Sequence, residues 1–255
     1  MRVVKIGGRA QSDPMLARVI RDAWNCSPGE LCVIHGGGDE VTAMQRALGR
    51  EAAFIGGRRV TSQGDLELLR MVLSGVVNKR LVNALVAADV PAVGISGEDA
   101  ALIGAEFIDR ASLGYAGKPV SINKNVLLAL LTSGLMPVIS PVAFNADTGV
   151  RGALNVNGDD AAAAIAASIG AAELLFIVDV EGVRDTDNSI VTNLSVEQAK
   201  ELIASGTAAA GMAAKLESAE WALVNGVSSV RICALRGISD DRCGTFITQS
   251  QSVAT

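Results

Sequence analysis

Histidine occurs once in this 255-residue chain, aromatic residues make up only 3%, and no run of 18 uncharged apolar residues exists. A single histidine leaves little material for a metal cluster or a histidine-based nucleophilic triad. The four cysteines, Cys26, Cys32, Cys233 and Cys243, show neither CxxC nor metal-ligand spacing, so they read as small buried hydrophobes. The missing apolar run argues against a transmembrane helix. Strand character begins by Val3, which leaves no room before it for a signal peptide. Net charge is −5 with the basic residues scattered, which speaks against a nucleic-acid or anionic-membrane partner. These absences predict a soluble, cytoplasmic globule with no metal ligands of its own.

What is present is 49% hydrophobic and built from Ala, Val, Leu and Ile. That composition suits an α/β protein, one large domain or two tightly fused lobes. The apolar run Leu31-Cys32-Val33-Ile34 ends in His35-Gly36-Gly37-Gly38, and helical spacing follows from Glu40 to Leu48. Strand, glycine loop and helix N-terminus together present backbone N–H groups to an anion, although one such loop could equally be a tight turn. A second loop repeats the pattern: Val3-Val4-Lys5-Ile6 runs into Gly7-Gly8. A lysine inside an apolar strand either snorkels from an edge or meets a negative charge. Beside paired glycines the second reading is the stronger, and the two loops look like a phosphate clamp.

Periodicity and turn chemistry give the remaining elements. Ser12-Asp13-Pro14 is expected to cap a helix reaching about Trp24. An antiparallel excursion over 52–60 turns at Gly56-Gly57, and 65–88 reads as the longest helix, apolar on more than one face. Such a helix invites a subunit contact, and Ser74-Gly75 in its middle is a place for a bend. Strands are expected at 91–95, 102–108, 137–142, 174–178, 230–234 and 245–248. Helices are expected at 123–132, 195–204 and 210–224, a turn at 145–149 and a frayed tail over 249–255. Asn155 and Asn157 alternate, so both can point at one site, and Gly158-Asp159-Asp160 leads into an alanine-rich helix. Either aspartate could be only a helix cap, and Lys215, near the start of a helix, could be only a solvated side chain. Taken together, Lys5, Lys215 and Asp159 suit phosphoryl transfer, which needs charge neutralisation more than covalent help.

Seven ordered motifs now stand in the chain. They are Lys5-Ile6-Gly7-Gly8, His35-Gly36-Gly37-Gly38, Gly57-Arg58-Arg59-Val60-Thr61 and the stretch from Met71 to Lys79. Asn155-Val156-Asn157-Gly158-Asp159, Asp179-Val180-Glu181-Gly182-Val183 and Gly211-Met212-Ala213-Ala214-Lys215 complete the set. With these the chain resembles the amino-acid kinase family over nearly all of its length. The resemblance implies a three-layer αβα sandwich on a largely parallel central sheet. It implies an N-terminal lobe, about 1–150, for the amino acid and dimerisation, and a C-terminal lobe, about 151–255, for the nucleotide.

By the same resemblance Lys5 and Lys215 stabilise the moving phosphoryl group and Asp159 orients both. Gly7, Gly8, Gly37 and Gly38 give N–H groups to phosphate. Arg59 grips a carboxylate, and Asn155 with Asn157 fixes the acylamino group. Asp179, Val180, Gly182, Val183, Gly211 and Met212 border the nucleotide. The implied reaction is phosphorylation by ATP, with Mg2+ carried mainly on its phosphates, of the γ-carboxylate of N-acetyl-L-glutamate in arginine biosynthesis. A succinylglutamate kinase, a carrier-linked aminoadipate or glutamate kinase and an amino-acid-binding regulatory paralogue are the alternatives. The partners implied are the N-acyl amino acid, ATP and a second copy of the chain in a homodimer. Arginine-inhibited relatives carry an extra helix before the first strand, so control by arginine through that route is not expected here. Departures from the family pattern are Arg58, where an apolar residue is usual, Glu98, where lysine is common, and Ala210 before Gly211.

Overall fold

Short runs of Val, Ile and Leu bounded by glycine become strands buried on both faces, which is what a parallel sheet requires. The computed structural model describes residues 1–147, 149–150 and 152–249. Its strands are β1 (Arg2–Ile6), β2 (Leu31–His35), β3 (Phe54–Ile55), β4 (Arg58–Arg59), β5 (Ala92–Gly97), β6 (Ile103–Phe107) and β7 (Ala116–Ile122). They continue with β8 (Met136–Asn145), β9 (Ala153–Val156), β10 (Glu173–Ile177), β11 (Asn193–Ser195), β12 (Val230–Cys233) and β13 (Thr245–Thr248). One sheet contains all of these except β3 and β4, in the order β11-β13-β12-β10-β1-β2-β8-β6-β7-β9, with β5 also on β8. Its pairings are parallel apart from β12–β13, β6–β7 and β8–β9, so the expected largely parallel sheet is found.

The helices are α1 (Leu16–Cys26), α2 (Gly38–Ala47), α3 (Gln63–Leu69), α4 (Asn78–Val86), α5 (Arg110–Leu113), α6 (Lys124–Thr132), α7 (Gly158–Ser168), α8 (Val196–Ala204) and α9 (Ala210–Val224). They cover both faces of the sheet, with α7 packed on α9 and α1 on α4. Ala161, Ala162, Ala163 and Ala166 are all buried, and their small side chains let α7 sit close to the central strands.

Three expectations need correction. Ser12-Asp13-Pro14 precedes the first helix and does not start it: residues Arg9–Ser12 form a short 3-10 turn, and Asp13 Oδ1 accepts from Met15 N at 2.8 Å before α1 begins at Leu16. The long helix is not uniform, because Arg70–Val77 between α3 and α4 is π-helical. Ser74 and Gly75 lie in that segment, and Ser74 Oγ reaches Ser140 Oγ at 2.6 Å. The strand expected over 137–142 extends to Asn145, because β8 leaves β2 and β5 and takes β6 and β9 as partners in its second half. Pro141, which has no N–H to donate, lies near that exchange.

The turn expected at 145–149 is held by Asn145 Oδ1 and Asp147 Oδ1, which accept from Asp147 N and Gly149 N; Thr148 within it lies outside the described residues. So do residues 250–255 of the expected tail, whereas Gln249 donates to Leu223 O at 2.8 Å. Among the described residues no helix is long and apolar enough to cross a membrane.

Candidate active site

Lys5 comes one residue before the end of β1, between Ile34 and Phe176 on the neighbouring strands, and its side chain is almost wholly buried. Its Nζ lies 2.8 Å from Asp159 Oδ1, an ion pair whose direction departs from hydrogen-bond alignment. Asp159 sits in the first turn of α7, where a carboxylate is favoured by the helix dipole. Its other oxygen accepts from Lys215 Nζ at 3.2 Å, and that ammonium also donates to Gly211 O at 3.2 Å. One buried carboxylate thus holds two ammonium groups 210 residues apart in sequence. Burial alone would raise the Asp159 pKa, but Lys5 and Lys215 overcome it and hold the group below the ordinary carboxylate value. Burial pulls the Lys215 pKa down, with Asp159 opposing it.

The helix itself is capped by Asn157, whose Oδ1 accepts from Asp159 N at 2.8 Å. The cap is therefore the asparagine and neither aspartate, which leaves both carboxylates free for other partners.

The glycine loops meet Lys5. A Cβ on Gly36 would lie 3.9 Å from Lys5 Nζ and 4.0 Å from Gly8 N. Gly37 requires glycine, because its φ is 152° and a Cβ would meet Leu73 Cδ2 at 2.7 Å. Among the described residues the amides of Gly8, Gly37 and Gly38 donate to no protein acceptor. Gly7 differs from the expectation for it: its N–H donates to Ile177 O at 3.0 Å, extending the β1–β10 pairing, and so is not available to a phosphate.

A cleft of about 220 Å³ opens beside the loops, lined by Lys5, Gly8, Gly36–Gly38, Arg59, Asn155 and Asn157, among others. Arg59, on β4 of a two-stranded hairpin outside the main sheet, is buried and has no carboxylate within ion-pair distance among the described residues. Its guanidinium is held by neutral groups: Nη1 donates to Gln45 Oε1 at 2.6 Å, and Nη2 to Gly38 O and Thr42 Oγ1, each at 2.9 Å. It also stacks over the Phe54 ring, 4.7 Å from the centroid. Three of its five N–H groups are used; burial pulls its pKa down, and the charges of Asp65 and Asp39, neither in direct contact, oppose this. A buried cation that no carboxylate contacts directly is further stabilised by an anionic ligand. Asn155 Nδ2 donates to Thr61 Oγ1 at 3.0 Å, and that hydroxyl donates to Arg59 O.

The 179–183 loop behaves in two ways. Asp179 is exposed and pairs with Arg9 at 2.9 Å, close enough to Lys215 to be felt by it. Val180 is half-buried. Gly182 and Val183 are buried against β13: a Cβ on Gly182 would meet Thr245 Oγ1 at 2.6 Å, and Val183 N donates to that hydroxyl. Gly211 is exposed at the start of α9, and Met212 packs at the edge of the core. Among the described residues no group of three or more His, Cys, Asp or Glu could hold a metal ion. The donors facing the cleft are cationic and amide groups, which suit an anion and not a bare cation.

Of the supports behind these groups, the sequence suggests only a loop hydrogen bond for His35, and one is found. His35 is fully buried, with Nδ1 2.8 Å from Gly36 O and Nε2 3.0 Å from Asn78 Nδ2. Nδ1 therefore carries the proton and Nε2 accepts, which ties the glycine loop to the start of α4. Gln45 and Thr42, one turn apart on α2, gave no signal beyond helical spacing.

Residues 1–234 match the amino acid kinase family. Acetylglutamate kinase of Cereibacter sphaeroides (strain ATCC 17029 / ATH 2.4.9) is 39% identical, covering 98% of this chain and 88% of that protein. Acetylglutamate kinase of Chloroflexus aurantiacus (strain ATCC 29366 / DSM 635 / J-10-fl) is also 39% identical, covering 98% and 97%. A crystal structure of a Streptococcus mutans UA159 protein is similar with a TM-score of 0.87 at 28% identity, covering 98% of each chain.

Proposed function

The chain belongs to the amino acid kinase family, and we propose that it transfers the γ-phosphoryl group of ATP to the γ-carboxylate of N-acetyl-L-glutamate. It is an enzyme, a phosphotransferase with a carboxyl group as acceptor. The nucleophile needs no general base, because a glutamate side-chain carboxyl titrates near ~4.3 and is ionised at neutral pH. His35, neutral and buried, is accordingly outside the chemistry.

In this reading Lys5 and Lys215 neutralise charge on the moving phosphoryl group from two sides. Asp159 fixes their separation while leaving further N–H groups on each ammonium for phosphate oxygens. The amides of Gly8, Gly37 and Gly38 serve the same oxygens. Arg59 holds the α-carboxylate with its two remaining N–H groups, and Asn155 and Asn157 face the acetamido group. The nucleotide lies along Asp179, Val180 and Gly211–Met212, with Mg2+ carried on its phosphates. The lobe containing Arg59 takes the amino acid, and the lobe containing α9 takes ATP. Met71, Val76 and Val86, all more than half exposed along the α3–α4 helix, support a homodimer formed on that face.

The observation that carries the proposal is the Lys5–Asp159–Lys215 cluster beside a glycine loop with unused amides, near a buried arginine that no carboxylate contacts directly. The test is ATP-dependent hydroxamate formation with hydroxylamine, comparing N-acetylglutamate, N-succinylglutamate and free glutamate. N-acetylglutamate should be the best acceptor; no hydroxamate from any of the three would overturn the proposal.

A further inference from the structure

Asp160 has no part in the chemistry above, yet both of its carboxylate oxygens are occupied. Arg58 Nη1 donates to Oδ2 at 2.6 Å, and Ser218 Oγ donates to Oδ1 at 2.9 Å. Arg58 precedes Arg59 on β4, and Ser218 follows Lys215 by three residues, about one turn along α9. A single carboxylate therefore joins the strand bearing the carboxylate-binding arginine to the helix bearing the phosphoryl-binding lysine. Asp159 joins Lys5 to Lys215 in the same manner. Consecutive helical residues point about 100° apart, so one aspartate meets Lys5, which lines the cleft. The other faces a separate groove of about 290 Å³ lined by Arg58, Ser218 and Trp221.

The setting makes this link consequential. The β3–β4 hairpin is not part of the main sheet, and Phe54 and Ile55 on it are more than half exposed. Its side-chain ties run from Arg59 to α2 and from Arg58 to Asp160. Ser218 is buried and the Arg58–Asp160 pair is largely shielded, with side chains 32% and 20% exposed. Charge-assisted bonds so placed are among the stronger polar contacts.

We infer that Asp160 is a positioning residue that couples the hairpin to α9, so that engagement of the amino acid by Arg59 also sets the position of Lys215. The inference rests on the roles proposed above for Arg59 and Lys215. Its test separates the coupling from those roles. In hydrogen exchange on the free protein, Arg58→Leu should speed exchange in α9, and Ser218→Ala should speed exchange in the hairpin. In the hydroxamate assay each should both raise the amino-acid KM and lower kcat, by about 2- to 10-fold, as expected for one lost hydrogen bond. The double variant should be no worse than the more severe single one, and Arg58→Lys should recover most of the loss. Exchange changes confined to the mutated element, or kinetic losses that multiply in the double variant, would overturn the coupling. If the unmodified protein made no hydroxamate, the roles of Arg59 and Lys215 would fall, while the exchange experiment would still decide whether Asp160 couples the two elements.

Discussion

Because His35 is the only histidine, its titration can be isolated from the rest of the chain. Burial pushes its pKa from 6.5 to about 4; the bond to Gly36 O and the charge of Glu40 oppose this, and Lys5 and Arg80 reinforce it. The unfolded chain takes up a proton near 6.5 while the folded chain does not. Stability conferred by the neutral, buried ring is thus fully present above pH 6.5 and is lost as pH falls towards about 4. Linkage over that shift gives about 3 kcal/mol in all, of which about 2 kcal/mol is lost between pH 7 and pH 5. Protonation also sets an Nε2–H against the Asn78 Nδ2–H that it accepts from, so the acid form loses the tie between α4 and the glycine loop. Urea unfolding at the two pH values measures this. With an m-value of about 3 kcal/mol/M, the midpoint should drop by roughly 0.7 M. Carboxylates add their own slope near pH 5, so the decisive quantity is the difference between the natural protein and His35→Gln, which keeps an acceptor for Asn78. The variant should be less stable at pH 7 and lose about 2 kcal/mol less on going to pH 5. Equal losses in the two proteins would refute the reasoning.

Other perturbations test the site more directly. Lys215→Ala should lower kcat by about 10²- to 10³-fold with little change in KM, since its charge matters most as the phosphoryl group moves; steady-state kinetics would read it. Asp159→Asn should lower kcat and, by removing the charge that opposes burial, push the Lys215 pKa down further. The alkaline limb of its pH–rate profile should therefore move to lower pH. Arg59→Lys should raise the KM for N-acetylglutamate about tenfold or more and leave that for ATP nearly unchanged, because a charge-assisted bond is worth about 1.5–3 kcal/mol. Val76→Glu should turn a dimer into a monomer in light scattering without loss of helix content.

Much of the fold was legible because its signals are local. The 52–60 hairpin follows from Gly56-Gly57, both at positive φ, and the strands follow from short branched runs between glycines. Ser74-Gly75 marked a place for a bend in the long helix, but nothing local announced that the whole of Arg70–Val77 is π-helical. Within it Ser74 meets Ser140, 66 residues away, a contact that no local pattern announces. The difference between Gly7 and Gly8 was equally hidden. Both read as phosphate-facing glycines, and only the register of β1 on β10 decides that one amide is already taken.

Charge shows most clearly where local sequence stops informing. Composition describes an acidic chain, net −5, yet the site gathers two ammonium groups around one carboxylate, with Lys5 lining the cleft, and an arginine in direct contact with no carboxylate. Anion binding depends on this local excess and not on the total, because exposed charges farther off than about 8–10 Å are screened while buried ones are not. At an effective dielectric of about 20, a unit charge 4 Å away is worth about 4 kcal/mol. The three cations come from residues 5, 59 and 215, so no window of sequence contains the excess. Arg58 and Asp160 show the converse. Arg58 reads as a departure from the family motif and Asp160 as a possible helix cap, and only the meeting of β4, α7 and α9 turns them into a bridge behind the site. Asp159 and Asp160 are adjacent and chemically identical. What separates their roles is the rotation of about 100° between them, which aims one at Lys5 and Lys215 and the other at Arg58 and Ser218.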